Sequence, residues 1–472
     1  MRPVWGPATY TKGGPYEQKL FELANAQIDV QIVPVVDYDT KANTILASGK
    51  IPDVMWGSGP VNPIWRGAQD QGAFLPVNKY LDKYPALKKA VPSHTWDIMK
   101  DKKGQIYFLP NTLWPIVPFF AFYRQDLFEQ ANISRTPTST DEFVSMLGQI
   151  HQAFPDKYPL SLSLDAYLWQ AKDMATSFGL SLGSWMPNPK NPKELTYYIE
   201  LEKTVEFFFW MQEIHKKGLL DPNSGVHDDP NFMQDEFKAG KSVILLENWA
   251  VYPSLAPDLK KVVPTAKVSA LPPLGQQAGT RAVFPVDRGF YVSASYGGAD
   301  AFFDFLNWTF TGGNNFRRWG IEGATYKVVN GQNQTIPNSQ RASGYIGAQI
   351  EPLSFLSPFS EKMDWNSVQQ NFEAAGVGED FAWVKAMFNR YGQQQFPDWA
   401  NPTVITPTQS KKGTQIWENT MVDTIDGVVI NNQMTQQSWS TAVKRWEAAG
   451  GTQMIRERNQ EQKNKTKPNY LA

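Results

Sequence analysis

The chain contains no cysteine. That excludes disulfides, thiol nucleophiles, iron–sulfur clusters and every cysteine-ligated zinc site. Histidine is nearly as scarce. The four residues at 94, 151, 215 and 227 are too dispersed for the paired-histidine helix of a zinc hydrolase. Charge is low and balanced: 45 basic against 46 acidic side chains leave a net charge of -1. A nucleic-acid binder would show a basic surplus, so none is expected as a partner. No apolar run approaches the ~20 residues of a membrane-spanning helix, and the longest, from Ile116 to Phe122, has the length of a strand. Met1-Arg2-Pro3 runs directly into Val4-Trp5-Gly6 with no secretory signal in view.

What the chain does have is flat apolar rings. Aromatics make up 13% of 472 residues, with 17 tryptophans, and hydrophobic residues reach 42%. This suits a folded protein of two or three domains with ample core. The first 120 residues alternate helical and strand-like patterns. Helices are expected over 16–26, 39–47 and 62–71, with strands over 29–36 and just before Gly57. Thr138 to Ala153 begins with a Ser-Thr-Asp-Glu cap and places Phe143, Met146, Leu147 and Ile150 on one face. Further helices are expected over 166–178, 201–217, 232–239, 299–311, 414–429 and 437–449, with buried strands at 242–246 and 289–294. The pattern implies two α/β units, each a mostly parallel sheet flanked by helices. Apolar strands near 116–124 and 289–294 join them in a hinge of several crossings. The expected division is 1–122 with about 294–345, and 123–293 with about 346–472.

Several tryptophans fall at expected strand ends or in turns: Trp5, Trp56, Trp114, Trp249 and Trp365. Each is either a packing residue or a face for a ligand. A pyranose ring has apolar C–H faces and a hydroxyl rim, so rings flanked by Asn, Asp and Arg match it. Trp56 ends a buried strand, where ligands of open α/β sheets bind. Asn248 adjoins Trp249. Asp287 and Arg288 precede the 289–294 strand and form either a structural ion pair or a contact to hydroxyls or a carboxylate. Gly57-Ser58-Gly59 lacks the Gly-Lys-Ser/Thr continuation of a phosphate loop, and Gly240-Lys241-Ser242 precedes a strand instead of following one. His227-Asp228-Asp229 reads as a solvated loop, and no metal, cofactor or catalytic residue is assigned.

Four groups of segments resemble a known family, in that family's order. They are ASGKIPDVMWG (47–57) with GAFLPVNKYL (72–81); GQIYFLP (104–110); YRQDLFE (123–129) with TPTSTDEF (136–143); and WGIEGATYKVVNGQ (319–332). The chain is similar to family 1 extracellular solute-binding proteins of carbohydrate ABC transporters. Within them it most resembles the long lipoprotein subgroup of alginate- and uronide-oligosaccharide binders. The resemblance implies a two-lobed periplasmic-binding-protein-like fold and a monomer that captures an oligosaccharide between its lobes. It implies ABC permease subunits as partners, and a place outside the cell membrane or in the periplasm, held by a lipid anchor whose cysteine is absent from this sequence. By motif position Trp56, Trp249 and Arg288 fall on the subgroup's ligand contacts, while Trp5, Trp114 and Trp365 lie in its variable loops. Subgroup members often carry a calcium loop where this chain has His151 to Leu160. With one carboxylate there, no calcium is expected.

Two other classes stay open. Paired carboxylates beside aromatics, such as Glu247 next to Trp249, also suit a glycoside hydrolase. The same fold also serves binders of peptides or other small solutes.

Overall fold

The computed structural model describes the chain except residues 5–8, 60–61, 102, 112–118, 165–167, 169, 226–230, 276–279, 282–287, 355–364, 393–394, 397–404, 413–430 and 463–472. The helix expected over 414–429 and the His227–Asp229 loop lie outside the described residues. In chain order the principal strands are β1 (Arg2–Val4), β2 (Ile32–Pro34), β3 (Val54–Ser58), β4 (Phe108–Pro110), β5 (Phe119–Arg124), β6 (Tyr158–Ser161), β7 (Ser242–Asn248), β8 (Val268–Leu271) and β9 (Arg288–Val292). The helices used below are α1 (Pro15–Ala24), α2 (Val35–Ser48), α3 (Pro63–Asp70), α4 (Thr140–Ala153), α5 (Ala171–Ala175), α6 (Glu202–Lys216), α7 (Asn231–Lys238), α8 (Ala299–Phe310) and α9 (Trp365–Ala374).

The chain divides into two compact units: Met1–Pro115 with Phe284–Gly378, and Ile116–Val283 with Glu379–Pro468. Each buries its own apolar core. In the first unit β1 pairs parallel with β2. It also bonds β3, through the Met1 amino group to the Val54 carbonyl (2.7 Å) and the Trp56 N–H to the Met1 carbonyl (2.9 Å). β9 lies antiparallel between β3 and β4. The order is therefore β2-β1-β3-β9-β4, with every strand but β9 running one way. In the second unit the order is β8-β5-β7-β6. β6 is parallel to β7, and β5 is antiparallel to both β7 and β8.

Each sheet is thus parallel apart from one strand, and that strand is the first laid down after the chain enters or re-enters the unit. The strands expected to carry the crossings lie wholly inside one unit each, β5 in the second and β9 in the first. The reason is hydrogen bonding: both are central strands with a neighbour on each side in their own unit. Residues 346–354, expected with the second unit, cluster with the first, as do 343–345. Gly344 packs on Pro15, Gln349 bonds the Thr11 amide (2.9 Å), and Glu351 pairs with the buried Arg2.

The amphipathic helices form with adjusted ends. β2 is shorter than its run of β-branched residues suggested. Pro34 ends it, and Val35 and Val36 open α2 instead, with Asp37 in the first turn where the helix dipole favours an acid. α4 follows its sequence closely. The Ser139 hydroxyl accepts from the Glu142 N–H (3.2 Å), and the Glu142 carboxylate accepts from the Thr138 N–H (2.7 Å). Phe143, Met146, Leu147 and Ile150 are buried beneath it. Ser139→Ala is expected to cost about 1 kcal/mol in urea unfolding followed by circular dichroism. Gly218, after α6, takes the left-handed conformation (φ 68°) that a glycine stop requires.

Among the described residues no helix is long and apolar enough to cross a membrane.

Candidate functional site

Because β9 runs against its neighbours, its beginning meets the carboxyl ends of β3 and β4. Arg288 pairs in register with Ser58. The Asn111 N–H, one residue past β4, donates to the Arg288 carbonyl (3.0 Å). Ser58, Asn111 and Arg288 therefore share one edge of the first sheet, all half-buried. The Asn111 Oδ1 is enclosed and has no hydrogen-bond partner among the described residues. A buried acceptor left open in this way is costly unless something supplies a donor.

Trp56 does not face this edge. It is 7% exposed, and its ring meets Tyr38 edge-on (centroids 5.4 Å, 90°) while the Tyr38 hydroxyl donates to the Trp56 carbonyl (2.6 Å). Strand alternation explains this, since Trp56 falls on the face that α2 covers. Gly57, read from sequence as a stop, lies within β3. Its missing side chain lets the Trp65 ring lie against the strand, stacked on Tyr291 (5.1 Å, 13°). A cavity of about 690 Å³ opens at the opposite edge, among Met1, Asp29, Asp53 and Phe302.

The second unit has a matching edge. β5 is antiparallel to β7, so its first residue, Phe119, pairs with Asn248 at the end of β7. The Phe119 N–H donates to Asp173 in α5 (2.9 Å). The Asn248 Oδ1 accepts from the Ala250 N–H (2.9 Å) and caps a single 3-10 turn over Trp249–Val251. Trp249 is 2% exposed and meets Phe388 at 5.3 Å and 68°. A small cavity of about 40 Å³, lined by Phe119, Asp173, Met174, Leu246, Leu271 and Tyr391, lies at this edge.

Behind the turn sits Glu247, 5% exposed. Burial pushes its carboxyl up from 4.5 to about 7, although the Asn248 N–H, Gln170, Gln234 and the more distant Lys238 all favour the charged form. The folded state therefore holds this proton more tightly than the unfolded chain. Its contribution is present below pH 4.5 and is lost as pH rises to about 7. The loss is about 3 kcal/mol by linkage. Urea unfolding at acid and at neutral pH should show the stability difference between wild type and Glu247→Gln shifting against the wild type over this window. A constant difference would contradict the assignment.

The structure thus brings Asn248 and Trp249 together at one edge and leaves Arg288 at the edge of the other sheet. Trp365 opens α9, which packs on the strand Gln332–Thr335, and is half-buried. Trp5, Trp114 and Asp287 lie outside the described residues. Sequence reasoning missed Asn111, Gln170, Gln234 and Ser163. Asn111 had a signal, its place directly after the GQIYFLP segment (104–110). Gln170 and Gln234 had none, since an isolated glutamine by a helix normally faces water.

Comparison with known proteins supports this architecture. The chain is 19% identical over 468 residues to the polygalacturonan/rhamnogalacturonan-binding protein YtcQ of Bacillus subtilis (strain 168), covering 96% of this chain and 89% of that protein. The alginate-binding protein AlgQ2, solved without calcium ion, superposes with a TM-score of 0.72 at 17% identity over 97% of this chain and 96% of that one. The Streptococcus pneumoniae ABC-transporter substrate-binding protein FusA, an EF-hand mutant in complex with fructo-nystose, gives 0.70 at 15% identity over 98% and 99%. The fold is the α/β periplasmic-binding-protein fold over the full length. Residues 18–323 match the family model described as bacterial extracellular solute-binding protein, and the chain belongs to that family.

Proposed function

We propose that the protein captures an oligosaccharide outside the cell membrane and delivers it to the permease of an ABC importer. Its family consists of solute-binding proteins and is not enzymatic, so the hydrolase alternative falls. The observation that carries the sugar reading is the chemistry of the second unit's edge. Asn248, which precedes Trp249, and Gln234 present half-buried neutral amides there, and the carboxyl they flank, Glu247, is buried. A peptide's charged termini would find little there, whereas a hydroxyl rim matches amide donors and acceptors. YtcQ is named for polysaccharide binding along nearly the whole length of this chain, and FusA is in complex with a fructo-oligosaccharide.

Within that class we favour an acidic oligosaccharide and the uronide-binding subgroup. Arg288 provides a guanidinium at the first unit's edge, and both YtcQ and AlgQ2 are named for polymers of uronic acid. A thermal-shift panel of neutral oligosaccharides, oligouronides and peptides tests this. Oligouronides should raise the melting temperature in a dose-dependent way. A shift with neutral sugars alone removes the acidic assignment, and a shift with peptides alone removes the sugar reading. Arg288→Gln should weaken oligouronide binding about tenfold and leave binding of neutral sugars within about twofold, since each lost charge-assisted contact is worth ~1.5–3 kcal/mol at most.

A further inference from the structure

Glu247 has more partners than a structural carboxyl needs. Its Oε1 accepts from the N–H of Asn248 (2.6 Å). Its Oε2 accepts from Gln170 Nε2 (2.7 Å) and Gln234 Nε2 (3.1 Å). Gln170 cannot turn, because its own Oε1 accepts from the Ser163 N–H. Gln234, half-buried on α7, is able to flip its amide. Three donors suit a carboxylate anion. A protonated carboxyl must instead donate, and the acceptor it gains is the Gln234 Oε1 once that amide has flipped.

The surroundings do not fix the charge. Lys238 on α7 favours the anion without a direct bond. Asp173, in α5, holds the Phe119 N–H. β5 sets Phe120 opposite Glu247, and the end of β6 nearest this edge carries Leu160 and Ser161. The one ionisable residue of β6, Tyr158, pairs with Ser242 at the far end of β7.

We propose that Glu247, held between Gln170 and Gln234, is a positioning residue for the Asn248–Trp249 turn, and that uptake of one proton there loosens the turn and weakens ligand capture. This rests on the oligosaccharide reading of the same edge. As an anion, Glu247 makes a charge-assisted bond to the Asn248 N–H, which steadies the Asn248 side chain that caps the turn. The capped turn fixes the Trp249 ring against Phe388. A proton on the carboxyl weakens the first of these bonds, and the others follow in order. Burial places this exchange near neutrality, at about 7.

Two readouts test the proposal. In the ligand-free protein, the Asn248 amide resonance is followed by NMR from about pH 5 to about pH 9, spanning the range where a perturbed carboxyl titrates. It should move with a midpoint near 7 in the wild type. In Glu247→Gln it should stay flat. Gln234→Met removes one donor to the anion on a partly exposed helix, so its midpoint should rise. A flat Asn248 resonance in the wild type overturns the positioning role. Calorimetric titration with an oligouronide then reads affinity over the same range. It should weaken about three- to tenfold toward acid pH in the wild type and remain level in Glu247→Gln, because only the difference in affinity between the two states is transmitted. A titrating amide with pH-independent affinity overturns the coupling to ligand. Failure of every carbohydrate to bind at every pH overturns the oligosaccharide reading, and the amide titration still decides the role of Glu247.

Discussion

Gly289→Ala is expected to destabilise the first unit by about 3 kcal/mol or more, at the upper end of overpacking effects. A Cβ at this position would stand 2.2 Å from the Leu109 carbonyl oxygen, 2.6 Å from the Phe108 ring and 2.9 Å from the Pro110 Cα. Two of the three are backbone atoms of the neighbouring strand and cannot rotate away. β9 and β4 would have to separate, which also breaks the Asn111 bond to the Arg288 carbonyl and opens the edge proposed to meet ligand. Gly57→Ala is a useful contrast. The atoms nearest its Cβ would all belong to the Trp65 ring, at 2.7 to 2.8 Å, and a side chain can tilt. A cost of about 1–2 kcal/mol is expected there. Urea unfolding of both variants checks the order, and equal midpoints would show that the sheet yields where the geometry says it does not.

Trp249→Ala is expected to weaken oligosaccharide binding by at least about 100-fold, close to 3 kcal/mol. Trp249 directly follows β7 in the turn that Asn248 caps; with the ring 2% exposed, the expected loss comes from collapse of that turn at the edge proposed to meet ligand. Since Trp249 is buried, the same change should also cost about 3–5 kcal/mol of stability through the cavity it leaves. Trp446→Phe separates the two effects. Trp446 lies parallel to Tyr197 (5.8 Å, 5°) in the core of the same unit. Its replacement should lower stability and leave binding within about twofold, because core losses act on unfolding when they lie far from the ligand. Equal loss of binding in both variants, measured well below their melting temperatures, would mean that Trp249 acts through the fold alone.

The tryptophans show how far the sequence can be read. Their number pointed to a ring-binding ligand, but many of them are core residues. Trp65, Trp96, Trp185, Trp210, Trp439 and Trp446 are all buried in one or other unit. Trp56 joins them, because a strand end fixes a residue's place along the sheet and not the face it points to. Periodicity and capping placed α4 and α6 closely, since those signals are local. The alternation of helix and strand implied parallel sheets, and most strands obey it. What it could not reveal was which strand reverses, because that depends on where the chain re-enters a unit. A hairpin over Tyr326–Val329 and Gln332–Thr335 was not among the expected elements, although the Asn330-Gly331 pair carries its signal. Both residues take positive φ, 51° and 76°, as a type I′ turn demands. The group of Gln170, Glu247 and Gln234 was not legible, because residues from three separate segments are brought together only by the packing of the start of α5, α7 and β7.

The protein is expected to bind an oligosaccharide and return it unchanged. Isothermal titration of the purified chain with oligouronides and neutral oligosaccharides, followed by chromatography of the recovered ligand, tests it most directly. Saturable one-to-one binding of an oligosaccharide, with the sugar recovered intact and the signal lost in Trp249→Ala, is the predicted result. No saturable heat from any sugar together with tight binding of a peptide, or recovery of shortened sugar, would contradict it.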